Sequence, residues 1–223
     1  MPKNHTHVEI FDTTLRDGSQ TAGINYSVDD KLRIAEKLAE FGIGWIEGGW
    51  PGASPKDSEF FAKMRNRSWS KSKLIAFGSM ARSGKPAAED VGLKHLIESG
   101  ADGACVFGKS WDLHVTKALG IDLPSNLDLV TDSIRWLKEH LETVFFDAEH
   151  FFDGYKDNPG YAIEVLRAAH AGGADGLVLC DTNGGTTPFD VAQAVSAVKR
   201  EFPDCLIGIH AVSYTHLTLP TIL

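Results

Sequence analysis

Arg16 and Asp17 stand side by side in "FDTTLRDGSQ", residues 11–20. An arginine fork can hold a carboxylate or steady a developing oxyanion. An aspartate oxygen can ligate a divalent cation. His210, in "CLIGIHA", offers an imidazole nitrogen. Oxygen and imidazole ligands together suit Mn²⁺, Zn²⁺, Co²⁺ or Mg²⁺. Glu149, in "TVFFDAEH", can position a substrate or take or relay a proton. Thr182, in "CDTNGG", can donate its hydroxyl to a carboxylate oxygen.

Each residue also has a plainer reading. Asp17 can cap a turn or pair with a neighbouring arginine. Arg16 can form a salt bridge with another strand tip. Glu149 can pair with Arg16 or with His150. Thr182 can simply finish a strand, and a histidine on a strand is often a hydrogen-bonded core residue. Glu47, before Gly48 and Gly49, is open between supporting a ligand and shaping a turn. The glycines of "CDTNGG" allow close backbone approach to a ligand but serve an ordinary turn equally well.

The elements that must position these groups alternate along the chain. Apolar runs of strand length are "HVEIFDTTL", "GWIEGGW", "KLIAFGSM", "GACVFGK", "TVFFDAEH", "DGLVLCDTN" and "CLIGIHA". Between them lie amphipathic stretches of helical period. "SVDDKLRIAEKLAEFG" starts at Ser27, a capping residue, and stops at Gly42. "PKDSEFFAKMRNRSW", "AAEDVGLKHLIESGA", "NLDLVTDSIRWLKEHL", "NPGYAIEVLRAAHAGG" and "TPFDVAQAVSAVKREFP" supply further helices, with a short helix expected in the connection before Asn126.

This alternation predicts an α/β fold with a parallel sheet, of the (β/α)8 TIM-barrel type, with seven strands readable. An open doubly wound sheet is the competing arrangement, but no G-x-G-x-x-G follows the first strand. In a barrel the polar residues at strand ends are expected to meet at the catalytic face. Those residues are Asp12, Arg16, Glu47, Asp147, Glu149, Asp181, Asn183 and His210.

The chain has 223 residues, short of the ~250 typical of a complete barrel. Its last stretch, "AVSYTHLTLPTIL", has no helical period. We expect a partial catalytic domain over 6–211 and an atypical tail over 212–223, outside the fold. The formal net charge of −8, with no basic block, argues against nucleic acid and against an anionic membrane surface. No stretch approaches the ~20 apolar residues of a membrane span. Three cysteines, each in or beside an apolar run, read as buried thiols in a reducing compartment. Cytoplasmic localisation follows as the expectation.

Five phrases, "HVEIFDTTLRDGSQ", "WIEGGWPGASPKDSEFF", "FGKSWDLHVTKAL", "DAEHFFDGYKDNP" and "CDTNGG", occur in order. Together they resemble the citramalate synthase branch of a family of metal-dependent acyl-CoA condensing enzymes and lyases. That family includes 2-isopropylmalate synthase, homocitrate synthase and hydroxymethylglutaryl-CoA lyase. The resemblance implies a TIM-barrel acyltransferase that condenses acetyl-CoA with pyruvate, giving citramalate and CoA for isoleucine synthesis. It implies that Arg16 stabilises the enolate or the oxo-acid oxygen, that Asp17 and His210 bind a divalent metal, and that Glu149 and Thr182 surround the oxo acid. It also implies a homodimer for a full-length relative.

One departure stands out. The family's second metal-binding histidine, two residues after His210, is Val212 here. The resemblance therefore implies a weakened metal site and little or no turnover. Two other readings stay open: a related condensing enzyme or lyase acting on a different acid, and a non-catalytic binding protein with a degenerate site.

Overall fold

A computed structural model describes residues 8–212. The tail assigned to 212–223 lies outside the described residues except for Val212. Seven strands alternate with helices, and strand order follows chain order from the first to the seventh. The architecture is α/β, of the incomplete TIM-barrel class that the alternation predicts. The described residues divide into two compact units, 8–78 with 95–104, and 79–94 with 105–212.

The first unit carries β1 (Phe11–Asp12), β2 (Trp45–Gly49) and β3 (Lys73–Ser79). They pair in parallel, Phe11 opposite Trp45 and Trp45 opposite Lys73. Helices α1 (Val28–Phe41) and α2 (Pro55–Met64) follow the first two strands. Ser27 closes a capping box on α1: its Oγ accepts the Asp30 N–H at 3.1 Å, and Asp30 accepts the Ser27 N–H at 3.0 Å. Gly42 ends the helix in the left-handed region at φ 93°. The core here joins Leu32, Ala35, Ile46, Phe60, Phe61 and Ile75, all buried.

The first strand is much shorter than "HVEIFDTTL" suggests. Asp12 Oδ1 accepts the Thr14 N–H at 2.9 Å, and Thr13 O accepts the N–H groups of both Arg16 and Gly18 at 3.1 Å. These turn bonds outcompete strand pairing after two residues.

The second unit carries β5 (Thr143–Glu149), β6 (Gly176–Asp181) and β7 (Leu206–Ala211), again parallel. β4 (Gly103–Lys109) contributes Cys105–Lys109 to it. Its helices include α4 (Asp112–His114), the short helix expected in that connection, which runs into a π turn over Val115–Leu119. Longer ones are α5 (Leu123–Lys138), α7 (Pro159–Ala171) and α8 (Pro188–Glu201). Each of these three starts with proline in its first turn behind a capping Asp122, Asn158 or Thr187. α3 (Val91–Glu98) runs across the unit boundary in sequence.

α6 (Phe151–Asp157) is a helix that the periodicity does not announce. It is seven residues long, and it buries Phe151, Phe152 and Gly154. Gly154 packs so closely that a Cβ there would lie 2.7 Å from Ser110 O. Tertiary packing, rather than helical period, specifies this turn.

Phe146, Leu177 and Leu179 are fully buried on one face of β5 and β6, among Ile134, Leu137, Val165 and Leu166. On β7, by contrast, Leu206 and Ile209 are about half exposed. Cys105 and Cys180 are buried free thiols, as expected, and Cys205 is only partly covered. No helix among the described residues is long and apolar enough to cross a membrane.

Candidate functional site

Two clusters collect the candidate residues, one in each unit. In the first, the tight turn after β1 presents Arg16. Its Nε donates to Glu47 Oε2 at 2.6 Å and its Nη1 to Asp17 Oδ1 at 3.1 Å. The guanidinium carbon sits 3.8 Å from the centroid of the Phe77 ring. The Arg16 side chain is 11% exposed and that of Glu47 1%. A guanidinium so buried needs such partners, because desolvating it alone would cost several kcal/mol, on the order of the whole pair's Coulombic gain.

The result is a cation fixed in plane by carboxylates and on its face by an aromatic ring. That is the preorganisation expected of a group that meets a carboxylate or an oxyanion. Glu47, ambiguous in sequence, is thus the residue that orients Arg16. Asp12 shapes the turn through its bonds to Thr14.

In the second unit, β6 and β7 set Cys180 opposite His210, and β5 and β6 set Asp147 opposite Val178. His210 Nδ1 lies 3.8 Å from Asp147 Oδ2. One ligand atom each from Asp147, Cys180 and His210 falls within 4.8 Å of the others. Asp147 and Cys180 are buried and His210 is partly exposed. An oxygen, a sulfur and a nitrogen so gathered can hold a divalent metal, and the thiol favours zinc or cobalt over magnesium. His210 was expected as a ligand. The sequence marks Cys180 only as a buried thiol and Asp147 only as a polar strand end. The signal that pairs Cys180 with His210 is register, which needs the sheet.

Glu149, the last residue of β5, receives a hydrogen bond from Lys109 Nζ at the end of β4. Its cation is therefore Lys109, where the sequence suggested Arg16 or His150. Asn126, buried on α5, donates to Lys109 O at 3.1 Å and to Tyr161 Oη at 2.9 Å. Burial pushes the Tyr161 phenol up to about 12, so it stays a neutral partner.

Thr182 Oγ1 accepts the His150 N–H at 3.0 Å. As acceptor in that bond the hydroxyl keeps its own proton to donate. The bond ties the end of β6 to the residue after Glu149. His150 takes φ 56°, the one non-glycine residue with positive φ among the described residues. Strain of this kind concentrates at functional sites. Its Nδ1 lies 3.1 Å from Asp153 Oδ2, which also accepts from Asn183 Nδ2 at 3.0 Å. His114 meets the His150 ring edge-on at 4.5 Å. Burial, then the neighbouring His150 and Lys109, hold the His114 pKa below the ordinary histidine value. Asp181, buried at the end of β6, accepts from Thr186 N at 3.1 Å and Thr186 Oγ1 at 2.9 Å, and so shapes the "DTNGG" turn.

The structure thus brings Arg16 and Asp17 together with Glu47 in one unit. In the other it links Glu149 to Thr182 through His150, and sets His210 beside Asp147 and Cys180.

Residues 7–215 match the model of the HMGL-like family. The (R)-citramalate synthase of Aquifex aeolicus is 53% identical over 204 residues, covering 92% of this chain and 39% of that protein. That of Geobacter sulfurreducens is 50% identical over 203 residues, covering 91% and 38%. A 2-isopropylmalate synthase of Sulfolobus acidocaldarius is 31% identical over 207 residues, covering 93% and 51%. Among solved structures, the HMG-CoA lyase of Bacillus subtilis aligns with a TM-score of 0.73 at 22% identity, covering 91% of this chain and 67% of that one. The chain spans about two fifths of the length of the citramalate synthases it matches.

Proposed function

The chain belongs to the HMGL-like family, and on that premise we propose that it is the condensing portion of a citramalate synthase, joining acetyl-CoA to pyruvate. The observation that carries this reading is the 53% identity to a citramalate synthase, against 31% to a 2-isopropylmalate synthase. Overall, the methyl carbon of acetyl-CoA loses a proton and bonds to the carbonyl carbon of pyruvate, whose C=O π bond opens and whose oxygen takes up a proton to become the hydroxyl. Water then cleaves the thioester and releases CoA and citramalate.

The residues take separate parts. Arg16, held by Glu47 and Phe77, offsets negative charge on the oxo acid or the enolate. Thr182 donates its hydroxyl to the acid's carboxylate. Glu149, with its charge balanced by Lys109, orients the oxo acid or relays a proton. Asp147, Cys180 and His210 fit a divalent metal by their spacing and donor types; for Asp17 the support as a metal-binding residue is the resemblance of its own stretch, "FDTTLRDGSQ". A metal held there supplies Lewis-acid polarisation of the carbonyl. Cytoplasmic localisation and a homodimeric full-length protein belong to the same reading.

The test is calorimetric titration of pyruvate, 2-oxoisovalerate and 2-oxoglutarate into the Mn²⁺-loaded chain, with a parallel assay of thiol release from acetyl-CoA. Pyruvate is expected to bind most tightly, with weak or absent thiol release because Val212 supplies no ligand. Tighter binding of 2-oxoisovalerate would move the chain to another branch. Absence of all acid and metal binding would support the degenerate-site reading.

A further inference from the structure

Lys31, on α1, has a side chain only 2% exposed. A buried lysine is costly, and a well-packed apolar side chain would fill the position with less penalty. Burial indeed pulls its pKa down, against the raising effect of Asp57. The arrangement around it suggests what the ion pair does. Lys31 Nζ donates to Asp57 Oδ1, at the start of α2. The other oxygen of that carboxylate, Oδ2, accepts the Trp50 N–H at 3.0 Å.

The pair also abuts the backbone just after Glu47. A Cβ on Gly49 would lie 2.7 Å from Asp57 Cγ and 2.8 Å from Lys31 Nζ, and Gly49 has φ +140°. Only glycine fits there on both counts. The ion pair therefore pins the Gly49–Trp50 bend at the end of β2. The Trp50 ring in turn stands edge-on against Phe77, with centroids 5.6 Å apart and planes at 87°. Phe77 carries the Arg16 guanidinium on its face at 3.8 Å. Both holds on Arg16, the Glu47 carboxylate on β2 and the Phe77 ring, thus border the segment that the ion pair fixes.

We propose that the Lys31–Asp57 ion pair is a positioning device for Arg16, acting through the Trp50 backbone and the Trp50–Phe77 ring contact. The proposal rests on the reading of Arg16 as the residue that meets the oxo acid. Its physical content is that charge buried behind β2 sets the plane of a guanidinium it does not touch. Loss of the pair frees the bend, tilts Trp50, and leaves the Phe77 face unsupported. The guanidinium then samples orientations that cannot meet a carboxylate in plane.

Two readouts separate this idea from the functional reading beneath it. The first is the rate of phenylglyoxal modification of Arg16, mapped by peptide mass spectrometry, with exposed Arg82 and Arg200 as internal references. Asp57→Asn and Lys31→Met are expected to raise the Arg16 rate about fivefold or more while the references stay constant. Lys31→Arg is expected to restore the slow rate. Trp50→Leu, which breaks the link without touching the charges, is expected to reproduce the rise should an ion-pair variant fail to fold. An Arg16 rate unchanged relative to the references in the folded variants overturns the proposal, as does a parallel rise at all three arginines.

The second readout is pyruvate affinity of the Mn²⁺-loaded chain. Arg16→Gln and Asp57→Asn should each weaken it about tenfold. If Arg16→Gln leaves affinity unchanged, the role of Arg16 in acid binding fails, while the modification rates still decide whether the ion pair positions it. If Arg16→Gln weakens binding and the ion-pair variants do not, the positioning role fails alone.

Discussion

Replacing Glu47 with glutamine tests whether charge holds Arg16 in place. The substitution keeps the shape and an acceptor oxygen but removes the counter-charge from a side chain that is 1% exposed. Breaking a buried pair by removing one partner costs about 3–5 kcal/mol. Arg16 would retain Asp17, at 3.1 Å and 24% exposed, and the face of Phe77 at 3.8 Å. A desolvated cation–π contact is worth ~2 kcal/mol, and the Asp17 pair, being wetter, less than ~1 kcal/mol. These remaining contacts soften the loss, so the expected destabilisation is about 2–3 kcal/mol.

For a chain of this size that corresponds to a fall in Tm of about 4–12 °C. The assay is urea unfolding of the wild type, Glu47→Gln, Arg16→Met and the double variant. With both members of the pair replaced, neither is left buried opposite the other's missing charge. The double variant should therefore lose at least ~1.5 kcal/mol less than the sum of the single losses. Strictly additive losses, or a Glu47→Gln variant within ~0.5 kcal/mol of wild type, would refute the reasoning.

Three further outcomes follow from the second unit. Co²⁺ added to the chain should give a thiolate-to-metal absorption band in the near ultraviolet, and Cys180→Ser should abolish it; an unchanged band would remove Cys180 from the metal cluster. Val212→His adds a nitrogen donor two residues along from His210, just past the end of β7, and should tighten Mn²⁺ binding roughly tenfold by titration. For His114, the folded-state pKa lies below the unfolded value of 6.5, so the folded chain takes up this proton less readily. Its contribution to stability is therefore full above pH 6.5 and falls as pH drops through the folded value; His114→Gln should flatten the urea midpoint between pH 7 and 5.

Much of the fold was legible because parallel strands buried on both faces carry near-continuous apolar runs, and caps mark the helices between them. β3 through β7 fall where runs such as "KLIAFGSM" and "TVFFDAEH" place them. Ser27 and Gly42 bound α1 as their types require. β1 is shorter than its apolar run, because Asp12 and Thr13 divert backbone donors into a turn. α6 was missed, because seven residues show too little periodicity and its burial depends on Gly154 against Ser110.

The amino-acid types alone marked the candidates for chemistry: the Arg16–Asp17 dipeptide, Glu149, Thr182 and His210, each at or just past a strand end. What they could not determine is who stands beside whom. Glu47 grips Arg16 across 31 residues of sequence, Lys109 meets Glu149 across 40, and Cys180 faces His210 through strand register. Such pairings depend on which strands are neighbours and on the two-residue alternation of their side chains. A buried lysine on α1 is the sharpest case: its sequence context is an ordinary amphipathic helix, and only packing reveals the carboxylate that makes its burial tolerable.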